Sequence, residues 1–327
     1  MEYPSVVADV KAVLKKIENR KFKNMYLIAC GGSSALMYPS QYFIDTNAKS
    51  LTCEYLNANE FIYRNQAALC DDSVVILCSQ EGKTPETVAA AKYSRDRGAA
   101  VITIAMKDDT PLQKAGGELF VRYGYYMTCK PAETSYGVMF MLTAGILQAL
   151  EGGTYFDDMV DSLIKLEPVM GKAKLDFEPF AADFADKCKD NNIIYSLASG
   201  MNYSQAYVLC NCYLMEMQWI NAIPIHAGEF FHGPFEIIEK GSPVVMLMGM
   251  DRTRYLEERA AKFLNKYTDR AFILDMAAIN YGDIKKEYIA YMAVLILNNE
   301  CRMLMQKLSV SRNHDLDIRR YMHLVEY

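Results

Sequence analysis

Long hydrophobic runs, basic clusters and paired cysteines are all missing from this sequence of 327 residues. No apolar run reaches the ~18 residues that a membrane-spanning helix needs. Lysine and arginine alternate with aspartate and glutamate, and the formal net charge of -5 offers no basic surface to nucleic acid. The amino-terminal stretch has helical spacing and lacks the features of a signal peptide. We therefore expect a soluble, cytoplasmic protein that binds neither membranes nor nucleic acid.

Cysteine and histidine show no pattern typical of a disulfide framework or a metal site. The nine cysteines are an odd number without a CxxC pair, which indicates free thiols in a reducing compartment. Cys210 and Cys212 flank one asparagine, but the four histidines of the chain have no ligand spacing to them. We predict no metal site.

The length of the chain is about twice that of a usual single domain, which favours two domains. In the first half, near-continuous apolar runs alternate with stretches of helical spacing. The apolar runs cover 24–30, 73–78 and 99–105, and the helical stretches cover 34–47, 60–68 and 85–97. Buried parallel strands have this composition, and each strand-helix pair is short enough for a crossover unit. The pattern predicts an α/β fold with an open, mostly parallel, doubly wound sheet flanked by helices.

The same order of elements returns in the second half. Apolar runs cover 192–197, 243–248 and 270–274, and helical stretches cover 202–219, 253–267 and 285–307. This predicts a second copy of one architecture. The charged, helical stretch 152–190 is interpreted as the connection, and we place the boundary near 160, giving domains 1–160 and 161–327.

Two predicted loops follow strands of the first domain and are candidates for binding a phosphate. One is Cys30–Ser34 and the other is Cys78–Thr84. In parallel sheets, ligands bind beyond the carboxyl ends of strands, where backbone N–H groups and hydroxyls can donate to an anion. The alternative is an ordinary turn whose serine or threonine caps a helix. The candidate binding residues are Gly32, Ser33, Ser34, Ser79, Gln80, Lys83 and Thr84.

Neither loop matches a nucleotide motif. Walker A requires a glycine five residues before Gly82, with four residues between them, and Leu77 stands at that position. The dinucleotide fingerprint requires a third glycine, which is missing after Gly31 and Gly32. The sequence therefore gives no support to ATP or dinucleotide binding.

Glu216 and His232 are the candidate acid-base pair of the second domain. Proton transfer between adjacent sugar carbons needs a carboxylate near the C–H bond and a second group that handles the oxygens. Glu216 ends a predicted helix, and His232 follows a short apolar loop, 16 residues further on. The alternative is a solvated glutamate at a helix end.

Taken together, these segments resemble the sugar isomerase (SIS) domain family, typified by the isomerase half of glutamine-fructose-6-phosphate transaminase. The similar segments are Ala29–Ser33, Asn59–Phe61, Ser79–Thr84 and Gly228–Pro234, in family order and over nearly the whole chain. The resemblance implies two tandem SIS domains, a phosphate in the Ser79–Thr84 loop, and sugar isomerisation and ring opening by Glu216 and His232.

The sequence departs from the isomerase pattern at three positions. Glu81 stands in place of a serine, Lys83 in place of a glutamate and Tyr213 in place of a lysine. Because Glu81 repels a phosphate and Lys83 attracts one, these changes predict redistributed phosphate contacts within the loop. They also disfavour isomerase chemistry.

A narrower resemblance is to the fructoselysine-6-phosphate deglycases. It depends on Gly82–Thr84, on Gly228–Ile237 and on the terminal segment Asp317–Tyr327. It implies that a fructosamine 6-phosphate is cleaved with water to glucose 6-phosphate and a free amine, without metal or organic cofactor. It also implies a homodimer with shared active sites, in which the tail reaches an active site. Further substrate-binding candidates are Thr134, Glu229, His314, Arg319 and Arg320.

Two other functions remain open at this point. One is an aldose-ketose isomerase or glucosamine-6-phosphate deaminase built on the same pair of domains, which substrate choice would distinguish. The other is a non-catalytic sugar-phosphate sensor, which need not keep Glu216 and His232. The sequence does not identify the amine, so lysine, glucoselysine-type and asparagine adducts are all candidates.

Overall fold

The three apolar runs of the first half, together with two further strands, form a five-stranded sheet. The computed structural model describes residues 5–125, 129–322 and 324–326. The strands are β1 (Asn24–Ala29), β2 (Thr52–Asn57), β3 (Ser73–Cys78), β4 (Ala100–Ala105) and β5 (Phe120–Arg122). Their order in the sheet is β2-β1-β3-β4-β5, and every neighbouring pair is parallel.

Helices follow the strands of this sheet in alternation. They are α1 (Ser5–Ile17), α2 (Gly31–Ala35), α3 (Tyr38–Asn47), α4 (Ala58–Arg64), α5 (Pro85–Asp96), α6 (Pro111–Gly116), α7 (Ser135–Glu151) and α8 (Tyr155–Cys188). Every residue of β3 and β4 is buried, because helices cover both faces of the sheet. On one face, Tyr26, Ile28, Val75 and Leu77 pack in a core with Phe61 of α4.

The second half forms a four-stranded parallel sheet. Its strands are β6 (Ile193–Ala198), β7 (Asn221–His226), β8 (Val244–Met248) and β9 (Ala271–Asp275). Their order is β7-β6-β8-β9. The helices are α9 (Tyr203–Tyr207), a π-helix (Val208–Met215), α10 (Glu216–Gln218), α11 (Arg254–Tyr267) and α12 (Lys286–Arg312). The predicted α/β class, with two open parallel sheets flanked by helices, is confirmed.

The chain divides into two compact units, Met1–Glu167 and Pro168–Tyr327. The division lies inside α8, since this helix is continuous from Tyr155 to Cys188. The stretch 152–190 was interpreted from its composition as a helical connection, and α8 occupies most of it.

Three local predictions were wrong. The apolar stretch before His232 is strand β7 and not a loop, although it contains Pro224. Proline lacks an N–H donor but is tolerated here, because β7 lies at the edge of its sheet. The Gly31–Ala35 stretch is the short helix α2 rather than a loop, and the helix predicted over 34–47 is interrupted between α2 and α3.

Within the described residues, no helix is long and apolar enough to cross a membrane. The same part of the chain contains no group of three or more histidine, cysteine, aspartate or glutamate side chains that could hold a metal ion.

Glu300 makes the stability of the fold depend on pH. This side chain of α12 is 5% exposed, and burial raises its pKa from 4.5 to about 8. Between these values the folded protein holds a proton that the unfolded chain releases. The contribution of Glu300 to the free energy of unfolding is therefore largest at low pH and falls by several kcal/mol, on the order of 5, as the pH rises through this window.

Glu300→Gln should remove this pH dependence. We expect its melting temperature, relative to wild type, to rise steadily between about pH 5 and pH 9, because glutamine never has to ionise in the core. Glu287→Gln, an exposed position on the same helix, is the matched control and should change little at any pH. A difference between Glu300→Gln and wild type that is constant across pH would contradict the prediction.

Candidate active site

The loop after β3 is closed by its own hydroxyl groups. Ser79 is 3% exposed, and its Oγ lies 2.9 Å from Thr84 Oγ1. Gly82 has φ of 63°, and a Cβ there would lie 2.4 Å from the Thr110 side chain, so this position requires glycine. The loop is thus held in one conformation, in which the side chains of Gln80 and Lys83 are exposed.

The two charged side chains of this loop, Glu81 and Lys83, differ in whether they form an ion pair. The Glu81 carboxylate forms an ion pair with Lys107. Lys83 forms no ion pair with any residue that the structure describes. Glu81, which replaces a serine of the isomerase pattern, is therefore neutralised within the first unit. The positive charge of Lys83 remains available to an anion.

The segment after β1 lies at the same edge of the sheet, since Ala29 pairs with Cys78 in the parallel register. Ser34 is buried and its hydroxyl bonds to the Tyr55 hydroxyl at 2.8 Å. Ser33 forms a hydrogen bond with the Cys78 thiol, whose pKa burial raises to about 12. Gly32 is exposed. The structure thus brings the two predicted segments together, with Ser34 turned inward.

Thr134 caps a helix. It is the residue before α7, its Oγ1 accepts from the Gly137 N–H at 3.0 Å, and its hydroxyl donates to the Pro131 carbonyl at 2.7 Å. These two bonds are those of an ordinary N-cap. A substrate-binding role for Thr134 stays a prediction.

In the second unit, two carboxylates accept hydrogen bonds from the backbone amides that follow β6 and β8. Glu257 is fully buried and accepts from the N–H groups of Ser199 at 2.9 Å and Gly249 at 2.7 Å. Asp251 accepts from the N–H of Met201 at 3.1 Å. Burial raises the pKa of Glu257 to about 7, and the hydrogen bonds oppose this rise. Because these amides already have anionic partners, the first unit carries the better candidates for a phosphate site.

Glu216 lies in an irregular helical segment. The π-helix Val208–Met215 ends directly before it, and α10 ends at Gln218, directly before Trp219, whose φ is 56°. A π-helix and a bulky aromatic residue in the left-handed region are both rare, and both occur preferentially where function requires them. From the sequence, 202–219 was predicted as one helix, so neither irregularity was expected.

The C-terminal segment contacts Glu216 directly. Arg319 Nη2 donates to Glu216 Oε1 at 3.0 Å, and the two side chains are 18% and 23% exposed. Arg319 Nη1 also donates to the Leu316 carbonyl at 2.6 Å. This ion pair holds the Glu216 carboxylate in one orientation.

Trp219, close to Glu216 in the chain, contacts two further residues that the sequence predicted for the site, His314 and Arg320. The His314 ring contacts the Trp219 ring edge-on, with centroids 4.4 Å apart, and the Arg320 guanidinium lies 3.9 Å from the centre of the same indole. Gln218 Nε2 donates to the His314 carbonyl at 3.0 Å. His314 is therefore packed against the chain, and its Nε2 is buried without a hydrogen-bond partner among the described residues. His323 and Tyr327 of the same tail lie outside the described residues.

An open pocket of about 550 Å³ adjoins these side chains. Its lining combines one carboxylate, two guanidinium groups, two amide side chains and several apolar or aromatic groups. The lining residues are Asn211, Met215, Glu216, Trp219, Ile220, Asn221, Arg319, Arg320, Tyr321 and Met322. This volume can hold a small polar molecule with an apolar part.

His232 and Glu229 lie elsewhere in the second unit. They occupy a turn after β7, and both side chains are exposed. Phe230 between them is fully buried and packs against Phe235 and Phe263, which anchors the turn. Among the residues that the structure describes, His232 is not part of the pocket lining around Glu216. His232 also does not begin a helix, because the following 3-10 helix starts at Pro234.

Comparison with known proteins identifies the family. A family model described as SIS domain matches residues 19–147. The sequence is 42% identical to fructosamine deglycase FrlB of Bacillus subtilis (strain 168) over 319 residues, which cover 98% of this chain and 97% of that protein. The chain belongs to the SIS domain family. The resemblance predicted from its motifs is thereby confirmed.

Two further matches, one sequence and one solved structure, cover nearly all of the chain. A fructoselysine 6-phosphate deglycase from Escherichia coli (strain K12) is 27% identical over 330 residues, covering 97% of this chain and 91% of that protein. The crystal structure of a Bacillus subtilis protein proposed to be a phosphosugar isomerase has a TM-score of 0.96 and 41% identity, with 99% of each chain covered. This structural match confirms two tandem SIS domains.

Proposed function

We propose that the protein is a fructosamine-6-phosphate deglycase, which hydrolyses a ketoamine of fructose 6-phosphate to glucose 6-phosphate and a free amine. The observation that carries the proposal is the Glu216 carboxylate in an open pocket, paired with Arg319. The full-length similarity to two proteins named as deglycases supports the same chemistry.

In the proposed mechanism, Glu216 removes a proton from C1 of the open-chain ketoamine. The electron pair of the C–H bond forms the C1–C2 double bond, and O2 is protonated, which gives an enaminol. Reprotonation at C2 then produces an imine between C1 and nitrogen. Addition of water to the imine and loss of the amine yield glucose 6-phosphate. The steps are proton transfers, the addition of water to C1 and elimination of the amine from the resulting carbinolamine, so the mechanism needs no redox partner.

Three other groups have roles in this proposal. His232 acts as general acid when the sugar ring opens, and its exposed position on a firmly anchored turn leaves the imidazole open to a substrate. Glu229, on the same turn, binds sugar hydroxyls, orients His232 or activates the attacking water. The phosphate binds to the segments after β1 and β3, where Lys83 supplies an uncommitted positive charge.

The proposal includes a cytoplasmic homodimer that works without metal or organic cofactor. Enaminol chemistry requires only a positioned base and acid, so we expect full activity after treatment with EDTA. Light scattering in solution should give twice the mass of one chain of 37.1 kDa. A monomeric mass for fully active protein would contradict the dimer and leave the reaction unaffected.

Release of glucose 6-phosphate from a panel of fructosamine 6-phosphates, followed with a coupled dehydrogenase, tests the proposed reaction. The panel contains adducts of lysine through its ε-nitrogen, of asparagine and of glycine, together with a glucoselysine-type adduct. We expect kcat/KM for at least one adduct in the range of about 10⁴ M⁻¹s⁻¹ or higher, which is ordinary for enzymes.

Two results would contradict the proposal. Interconversion of unmodified hexose 6-phosphates without cleavage of any adduct would identify an isomerase. Tight binding of sugar phosphates without turnover of either class would identify a sensor.

A further inference from the structure

Adjacent arginines in the C-terminal segment are committed to different partners. The Arg319 guanidinium bonds to Glu216 through Nη2 and to the carbonyl groups of Leu316 and Ile318 through Nη1. Its charge is therefore balanced by the carboxylate, and both of its terminal nitrogens already donate. Arg319 thus holds Glu216 in place.

Arg320 also lines the pocket, but its charge is not balanced. Its guanidinium lies over the Trp219 ring, 3.9 Å from the centroid. It has no ion pair or hydrogen bond with any residue in the described part of the chain. Stacking on an indole fixes the guanidinium plane while the N–H donors at its edge remain available. Arg320 is thus a positively charged group that Trp219 holds in one orientation and that has no ionic partner among the described residues.

The other residues of the pocket indicate the chemistry of a ligand whose anionic group would bind Arg320. Met215, Ile220 and Met322 contribute apolar surface to the lining, and Glu216 contributes the base of the proposed reaction. A complementary ligand has one anionic group, an apolar portion and an atom that Glu216 can deprotonate. A planar guanidinium fork matches the two oxygens of a carboxylate.

We propose that Arg320 binds the carboxylate of the amino acid attached to C1 of the sugar and so selects adducts of amino acids over adducts of simple amines. This inference rests on the proposed function. The leaving nitrogen is bonded to C1, the carbon that Glu216 deprotonates, so the amino-acid portion of the substrate lies in the Glu216 pocket. The sugar phosphate is at C6, the opposite end of the molecule. The anion next to Arg320 is therefore the carboxylate.

Matched substrate pairs that differ only in the carboxylate test this assignment. One pair is the 6-phosphorylated fructosamine of lysine, linked through the ε-nitrogen, and that of cadaverine. The other pair is the adduct of glycine and that of methylamine. For the pair that wild type uses better, we expect kcat/KM to fall by about 10–100-fold when the carboxylate is absent, as for loss of a charged hydrogen bond.

Arg320→Gln should lower kcat/KM for the carboxylate substrate by the same factor and leave the simple amine adduct unchanged, mainly through KM. Arg320→Lys keeps the charge without the fork and should give an intermediate loss. Arg320 is exposed, so these variants should fold normally. Arg252→Gln removes another exposed arginine of the same unit and serves as the charge-matched control.

Equal wild-type kcat/KM on both members of each pair would overturn the inference. A loss in Arg320→Gln that is equal on both members would also overturn it, because this is the result expected if Arg320 binds the phosphate or merely shapes the pocket. If wild type releases glucose 6-phosphate from no adduct, the proposed function itself fails and the inference with it. The wild-type measurement thus distinguishes the two failures.

Discussion

Glu216→Gln should lower kcat for deglycation by about 10³-fold, within the 10²–10⁴-fold range typical of a lost general base. Glutamine keeps the length of the side chain and a carbonyl oxygen that can accept the hydrogen bond from Arg319 Nη2, now 3.0 Å long. The pocket is therefore preserved while the proton acceptor is removed. KM should change less than kcat, since the lost interaction is made in the transition state.

The decisive measurement is a single-turnover rate with the preferred adduct. Glu239→Gln, an exposed glutamate of the same unit, is the matched control and should keep wild-type activity. Proton exchange at C1 in deuterated water gives a second readout, because a protein without its base should no longer exchange this position. A Glu216→Gln variant within tenfold of wild type in both assays would rule out Glu216 as the base.

His232→Ala should cost about 10²–10³-fold in kcat/KM, the range expected for loss of a general acid. The imidazole is exposed, and the buried Phe230 anchors its turn, so the free energy of unfolding should change by less than ~0.5 kcal/mol. Lost activity can then be attributed to chemistry rather than to folding. Millimolar imidazole in the buffer should restore part of the rate, because the exposed position leaves room for the free base.

Lys240→Ala, a nearby exposed substitution, is the control for the His232 experiment and should be neutral both with and without imidazole. Full activity of His232→Ala would exclude the proposed acid. A loss that imidazole does not relieve, accompanied by a lower melting temperature, would assign His232 a structural role instead.

The buried strands were predictable because their composition reflects their surroundings. The runs at 73–78 and 99–105 are apolar except for Ser73 and Thr103, and β3 and β4 are buried along their whole length. A strand between two helical layers has no solvated face, so apolar residues occupy every position. β2 lacks this signature, with one of its six residues buried, and was not predicted.

Elements at the edges and near the site were harder to predict. Pro224 argues against a central strand, and only the position of β7 at the sheet edge makes it acceptable. The interruption of 202–219 by a π-helix and by the left-handed Trp219 has no local sequence signal. The single tryptophan of the chain, three residues after Glu216, is the only hint that the sequence offered.

For the candidate site, the sequence offered a set of residues as a prediction and no arrangement. The motifs named Glu216, His232, Arg319 and Arg320, because these residue types recur in one order in a related family. They did not predict that Arg319 binds Glu216 of its own chain, 103 residues away, or that Arg320 stacks on Trp219. The buried Glu257 was also missed, since an isolated glutamate on an amphipathic helix usually faces water.

The sequence by itself determined the α/β class, the repeated order of strands and helices, and the chemical groups available for the reaction, because periodicity and residue type are local properties. Only the tertiary structure decided which arginine forms an ion pair with Glu216 and which has none among the described residues. Both arginines have the same side chain and adjacent positions. Their difference arises from the direction in which the folded tail turns each guanidinium, toward Glu216 or over Trp219.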